Sequence, residues 1–133
     1  MNNYIQPYTT YLRFKTKEVN IGGVALGGSN PVRIQTMTNT NTLDTKSTVE
    51  QIIKIYNAGA DYVRLTVQGV KEAENLPNII KKLKENNIKI PLIADVHFNP
   101  KVAELAAQIV SKVRINPGNY TDISKDSQEK FHP

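Results

Sequence analysis

Polar side chains end three apolar, strand-like segments of this sequence, each time in the same polar-x-polar pattern. The three pairs are Arg64 and Thr66, Asp95 and His97, and Arg114 and Asn116. Side chains two residues apart on a strand point to the same face, so each pair presents two polar groups together. An arginine buried without a partner is costly, and phosphate or diphosphate groups accept paired hydrogen bonds from guanidinium groups. The pattern therefore predicts a site for a small anionic ligand at the carboxyl ends of parallel strands.

The spacing leaves more than one role open for each of these candidate residues. Arg64 can form an ion pair with Asp95 of the next strand instead of binding a ligand. Asp95 and His97 can act as acid and base, ligate a metal, or donate a hydrogen bond to a phosphate. A histidine metal site is not expected, because the only other histidine is His132. Asn116 can bind a ligand oxygen or hold its own loop, and the spacing does not decide between the two.

Hydrophobic periodicity predicts the elements that would position these side chains. Segments 17–21 and 24–26 flank Gly22-Gly23, which is a signal for a tight hairpin. Helical stripes separate four further predicted strands, at 31–37, 61–67, 91–95 and 112–116. The order is a hairpin followed by β-α-β-α-β-α-β, with the strand spacing that right-handed βαβ units require.

Local signals predict where the helices begin. Ser47 and Glu50 form a capping box for the first helix. Pro77 is tolerated best near the start of a helix, so we expect the second helix to begin near Asn75. The loop at 36–42 is rich in threonine and asparagine, which suits turn chemistry and ligand contact equally well.

Two architectures fit this order, an open doubly wound sheet and a (β/α)8 barrel. No G-x-G-x-x-G follows any predicted strand, which disfavours a dinucleotide-binding fold. A hairpin before the first barrel strand suits the bottom of a barrel. We therefore expect the α/β class and a TIM-barrel fold of which this chain forms the first half. The expected divisions are a lead-in at 1–16, the half barrel at 17–120 and a polar tail at 121–133 that can begin an insert.

Composition excludes several classes of function. The 133 residues contain no cysteine, which excludes disulfides, thiolate nucleophiles and cysteine-ligated metals within this sequence and fits a reducing compartment. No segment approaches the roughly 20 apolar residues of a membrane-spanning helix, and the polar amino terminus is unlike a secretory signal. We therefore expect a cytoplasmic protein with no membrane partner. The net charge of +5 suits an anionic metabolite or a polyanion, but no alternation of aromatic and basic residues indicates nucleic-acid binding.

Four sequence motifs, taken together, resemble one enzyme family. They are Gln35-Thr-Met-Thr-Asn-Thr-Asn-Thr42, Gly59-Ala-Asp-Tyr-Val-Arg-Leu-Thr66, Ala94-Asp-Val-His-Phe98 and Val113-Arg-Ile-Asn-Pro-Gly-Asn119. With them, residues 13–120 resemble the amino-terminal part of the 4-hydroxy-3-methylbut-2-enyl diphosphate synthase family, of the non-mevalonate isoprenoid pathway. Four motifs in the same order are far more specific than any one of them.

The resemblance implies a (β/α)8 barrel followed by a carboxyl-terminal domain that carries a [4Fe–4S] cluster on three cysteines and a glutamate. It implies a two-electron reductive ring opening and dehydration of 2-C-methyl-D-erythritol 2,4-cyclodiphosphate. Flavodoxin or ferredoxin would supply the electrons, and the full-length protein would be a homodimer. By position, Arg64, Arg114 and Asn116 match family residues that contact the substrate. Asp95 and His97 match the family's Asp-x-His-Phe strand end at the same pocket, where they are candidates for catalysis as well as binding.

The sequence also departs from that family. It stops after the fourth predicted barrel strand and has no cysteine for a cluster, so we expect an enzyme fragment that is inactive alone and binds no cofactor itself. Two alternatives remain open. One is a pterin-binding barrel of the dihydropteroate-synthase type, which competition with a pterin would identify. The other is a basic α/β module that binds RNA or another polyanion, which a steep dependence of binding on salt would identify.

Overall fold

The computed structural model describes residues 8–9 and 14–120 of the chain. Within them the elements are, in order, β1 (Val19–Ile21), β2 (Val24–Leu26), β3 (Gln35–Met37), α1 (Thr45–Asn57), β4 (Tyr62–Val67), α2 (Val70–Glu85), β5 (Leu92–Val96), α3 (Pro100–Ala107) and β6 (Lys112–Ile115). The predicted order of a hairpin and four strands separated by helices is confirmed. Most of the predicted lead-in and the whole predicted tail, with His132, lie outside the described residues.

Strands β3 to β6 form one parallel sheet, in the order in which they occur along the chain. A doubly wound sheet would reverse its order at a switch point and carry helices on both faces. Here the three helices pack side by side, α1 against α2 and α2 against α3. This is the arrangement of consecutive units in a (β/α)8 barrel, and the predicted barrel type is confirmed over four strands. We call the helix-covered side of the sheet its outer face and the opposite side its inner face.

The main apolar core lies between the outer face and the helices. On β4, Val63, Leu65 and Val67 are fully buried in this core, and each such side chain stabilises the fold by about 1.5–3 kcal/mol. Arg64 and Thr66 alternate with them and therefore lie on the inner face, where they are only partly buried. Alternation along one strand thus separates the core from the polar groups.

The hairpin packs against the inner face at the amino-terminal ends of the strands. Its turn, Gly22-Gly23, has φ angles of 59° and 91°, which a two-residue turn of this kind requires and which glycine adopts readily. Ile21 packs with Tyr62 and Ile93 in a small apolar cluster of buried side chains. The hydroxyl of Tyr62 donates a hydrogen bond to the carbonyl oxygen of Val24 at 3.0 Å. The hairpin therefore closes the bottom of the half barrel.

Two predicted boundaries are wrong at β3 and α1. The strand predicted at 31–37 pairs only over Gln35–Met37, because its neighbour β4 begins at Tyr62. The amide of Ile34 instead donates to the side chain of Asp61 at 2.8 Å. Helix α1 begins at Thr45 and its N-cap is Asp44, whose carboxylate accepts from the backbone amide and the hydroxyl of Ser47. The predicted capping box of Ser47 and Glu50 therefore lies inside the helix.

Helix α2 begins earlier than predicted and continues through Pro77. It starts at Val70, although a proline within a helix costs roughly 3 kcal/mol. Burial of Ala73 and Leu76 before the proline offsets this cost. The side-chain amide of Asn75 adds hydrogen bonds to the loop and helix of the preceding unit. Neither this helix nor any other in the described part of the chain is both long and apolar enough to cross a membrane.

Candidate functional site

Four of the polar residues predicted from the sequence meet on the inner face, near the carboxyl ends of β4, β5 and β6: Arg64, Asp95, His97 and Arg114. The parallel register sets Thr66 beside Asp95 and Asp95 beside Arg114. Arg64 lies two residues closer to the amino end of β4 and on the same face. A parallel sheet therefore places two arginines on either side of one aspartate.

A single carboxylate contacts three basic side chains in this cluster. One Asp95 oxygen accepts a hydrogen bond from an Arg64 guanidinium nitrogen at 2.6 Å. The other oxygen accepts one from Arg114 at 3.2 Å and lies 3.3 Å from Nε2 of His97. The Arg64–Asp95 ion pair is the contact that the structural interpretation of Arg64 anticipated. We call Arg64, Asp95, His97 and Arg114 the inner-face cluster.

The inner-face cluster carries more positive than negative charge. Asp95 is buried, with 2% of its side chain exposed, whereas 26% of Arg64 and 37% of Arg114 are exposed. Two guanidinium groups face one carboxylate, which leaves one unit of positive charge even without a charge on His97. Each guanidinium has five N–H donors, and both guanidinium side chains are partly exposed although each donates a hydrogen bond to Asp95. The arrangement can therefore accept a further anion.

The same contacts set the protonation state of Asp95. Burial alone raises the pKa of this carboxyl group. The hydrogen bond and the charge of Arg64, the charge of His97 and the hydrogen bond from Arg114 outweigh burial and hold the pKa below its ordinary value of 3.8. Asp95 is therefore ionised near neutral pH and only accepts hydrogen bonds. This state suits a group that orients basic side chains better than one that donates a proton.

His97 and Phe98 follow directly where β5 ends. The His97 side chain is 35% exposed and reaches back to Asp95 through Nε2. Phe98 has a φ angle of 63°, a left-handed conformation that is uncommon for bulky residues. Its ring lies 6.1 Å from the His97 ring, measured between centroids. Phe98 is not among the site residues that the sequence predicts, because hydrophobic periodicity carries no signal for a left-handed backbone.

Asn116 holds its own loop. Its side-chain oxygen accepts a hydrogen bond from the backbone amide of Gly118 at 3.0 Å. This is the contact expected if Asn116 stabilises its own loop. The amide nitrogen of the same side chain still carries two donors. Contact between Asn116 and a ligand oxygen stays a prediction.

Many polar groups of the threonine- and asparagine-rich loop after β3 form hydrogen bonds within the protein. Thr42 donates to the carbonyl oxygen of Thr66 at 2.6 Å, and the amide of Gln51 donates to the Asn39 side chain at 2.6 Å. A polar cleft of about 330 Å³ lies between this loop and the start of α2, lined in part by Thr66 and Glu72. Turn chemistry accounts for these contacts, and a ligand contact of the loop stays a prediction.

A larger cavity lies at the other end of the sheet. It has a volume of about 700 Å³ and is mainly apolar, and it runs between the hairpin turn and the segment from Asn87 to Leu92. Barrel enzymes place their active sites at the carboxyl ends of the strands. The position of the inner-face cluster, rather than cavity size, therefore identifies the candidate site.

The described residues do not provide a metal centre. None of their histidine, aspartate and glutamate side chains form a group of three that could hold a metal ion. The sequence contains no cysteine, so the thiolate ligands of an iron–sulfur cluster are also lacking in this chain. The residues present thus do not fit such a cluster.

Comparisons with protein families agree with the geometry of the half barrel. A family model described as "GcpE TIM-barrel domain" matches residues 16–132. Curated relatives bear the name 4-hydroxy-3-methylbut-2-en-1-yl diphosphate synthase (flavodoxin). The protein from Bacteroides thetaiotaomicron is 63% identical over 115 residues, which cover 86% of this chain and 19% of that protein. The protein from Leptospira interrogans is 49% identical over 122 residues, which cover 92% of this chain and 18% of that protein.

A third relative with that name, from Chlorobaculum tepidum, is 43% identical over 129 residues, covering 97% of this chain and 17% of that protein. The chain thus spans about a fifth of the length of these relatives. Among solved structures, a dihydropteroate synthase from Xanthomonas albilineans, in complex with indole-2-carboxylic acid and 6-chloroguanine, has a TM-score of 0.57. The match covers 85% of this chain and 46% of that one at 16% identity, and it shows a shared fold alone.

Proposed function

The chain belongs to the family of GcpE TIM-barrel domains, and we propose that it forms the part of a 4-hydroxy-3-methylbut-2-enyl diphosphate synthase that binds the substrate's diphosphate. The observation that carries the proposal is the excess positive charge of the inner-face cluster. Arg64 and Arg114 share one carboxylate, and both side chains remain partly exposed. A diphosphate supplies the missing negative charge and accepts several hydrogen bonds at once.

The chemistry of the complete protein is part of the proposal. The substrate is 2-C-methyl-D-erythritol 2,4-cyclodiphosphate, whose ring opens and which loses water as two electrons and two protons are taken up. Flavodoxin, named in the relatives, or ferredoxin is the electron donor, and a [4Fe–4S] cluster supplies electron transfer. The residues of this chain do not fit that cluster, so its ligands belong to a part of the protein outside this sequence. We further propose a cytoplasmic homodimer.

Each member of the inner-face cluster has a separate role in this proposal. Arg64 and Arg114 bind diphosphate oxygens, and His97 and the Asn116 amide donate hydrogen bonds beside them. Asp95 is ionised and buried, so it positions both guanidinium groups and does not act as a proton donor. The chain alone orients the anion and leaves the redox steps to the rest of the protein.

The test is a titration of the cyclodiphosphate into the full-length protein with Arg114→Ala. We expect the affinity to fall by about 10- to 100-fold, since a charge-assisted hydrogen bond is worth roughly 1.5–3 kcal/mol. Lys54→Ala is the matched control, because it removes the same charge from an exposed position on α1. Equal affinity of wild type and Arg114→Ala would remove the assigned role.

The pterin-binding alternative is not favoured. The likeness to dihydropteroate synthase at 16% identity supports the fold alone, whereas the curated relatives at 43–63% identity bear the synthase name. Displacement of the cyclodiphosphate by a pterin would reverse this preference.

A further inference from the structure

We propose that Phe98 is a specificity residue of this anion site, whose ring forms an apolar wall against the carbon skeleton that carries the bound phosphate. The inference rests on the proposed function and deepens it, because it adds an apolar contact to the charged one. It predicts that the site prefers an organic diphosphate to inorganic diphosphate.

The backbone of Phe98 is the first observation. Its φ angle of 63° lies in the left-handed region, which glycine and asparagine adopt at lower cost than a bulky aromatic residue. Local sterics therefore favour a different residue type at this position. Strained residues of this kind occur preferentially at ligand sites, where the side chain has a use that outweighs the strain.

The exposure of the ring is the second observation. Val96, two residues earlier on β5, is buried, whereas 59% of Phe98 is exposed. Packing against the described residues therefore does not explain why a large apolar side chain occupies a strained position. A ligand that covers the exposed ring would gain the hydrophobic contact that the ring lacks here.

The position of the ring connects it to the charged site. The Phe98 and His97 ring centroids are 6.1 Å apart, and Nε2 of His97 lies 3.3 Å from the Asp95 carboxylate. The ring therefore lies next to His97, one of the four members of the inner-face cluster. A ligand with its phosphates at the two arginines and an attached carbon chain can reach both surfaces.

The test compares two probes, the cyclodiphosphate and inorganic diphosphate, by calorimetric titration of the full-length protein. In Phe98→Ala and Phe98→Gly we expect affinity for the cyclodiphosphate to fall by about tenfold, since the contact with one side of the ring is lost. Affinity for inorganic diphosphate should change by less than about twofold. Phe98→Leu is the matched control, because it keeps an apolar side chain and should retain most of the preference.

Thermal unfolding separates this role from packing. Phe98→Gly relieves the left-handed strain, so its Tm should equal or exceed that of the wild type. A lower Tm in both truncated variants, with unchanged discrimination between the probes, would assign Phe98 to packing and overturn the inference. Equal losses for both probes would overturn it as well, because the ring would then act only through His97. Binding of neither probe by the wild type would overturn the proposed function along with the inference.

Discussion

The two ends of the inner face differ in chemistry although the same strands build both. At the amino-terminal end, Tyr62 and Ile93 pack beneath the hairpin and are almost fully buried. Two residues further along the same strands, Arg64 and Asp95 begin the charged cluster, which is partly open to solvent. A distance of two residues along the strands therefore separates an apolar, closed end of the inner face from a charged, accessible end.

The difference suggests that one end of each strand mainly stabilises the fold and that the other end mainly binds the ligand. Apolar burial stabilises the fold in proportion to the area removed from water. An ion pair near the interior contributes little net stability, because desolvation opposes the attraction between the charges. We therefore expect stability to depend mainly on the hairpin end and ligand affinity mainly on the inner-face cluster.

The largest expected effect on stability comes from Ile93→Ala at the hairpin end. Ile93 is 1% exposed, and loss of a fully buried isoleucine side chain lowers the free energy of unfolding by about 2–5 kcal/mol. Affinity for the diphosphate should be unchanged while the protein remains folded. Chemical unfolding and titration measure the two quantities. Val32→Ala, at an exposed position, is the control and should cost less than about 0.5 kcal/mol.

A smaller effect on stability is expected from Asp95→Asn in the inner-face cluster. The substitution keeps the shape but removes the charge that both arginines share, so we expect a loss of about 1–3 kcal/mol. The loss stays below that of Ile93→Ala because both guanidinium groups are partly exposed and water can solvate them. Chemical unfolding at neutral pH measures it, with Glu104→Gln as a control for charge loss at an exposed site. A loss larger than that of Ile93→Ala would contradict the expectation that stability depends mainly on the hairpin end.

The smallest expected effect is the pH dependence of the difference in stability between wild type and Asp95→Asn. The folded pKa of Asp95 is lowered, so its contribution to stability is present above its unfolded value of 3.8 and is lost as pH falls through the folded pKa. The gap in Tm between wild type and Asp95→Asn should therefore be constant near neutral pH and shrink below about pH 4. Tm measured across the acid range checks this, and a gap that widens on acidification would refute the assigned direction.

The order of the elements and the faces of the strands could be predicted from the sequence. Alternation along β4 already separates the apolar Val63, Leu65 and Val67 from the polar Arg64 and Thr66, because the strand repeat is a local property. Asn99 and Pro100 begin α3 as its N-cap and first-turn proline, which is also a local signal. The motifs at these strand ends then identified the family.

The predictions that failed depended on contacts between distant segments. Pro77 lies inside α2 because α2 packs on the sheet and on the preceding unit, which no local signal reports. The start of α1 is a local exception: Asp44 rather than Ser47 caps the helix, and because both are good capping residues the residue types alone do not decide between them.

By itself the sequence determined that two arginines, an aspartate and a histidine share one face of neighbouring strands. Only the tertiary structure decided that Asp95 binds both guanidinium groups, that this carboxylate is buried and ionised, and that Phe98 adopts a left-handed backbone. The physical reason is that the face of the sheet on which a side chain lies follows from the two-residue period within a single strand. Distances between side chains and the burial of charge depend on register and packing between strands that are far apart in the chain.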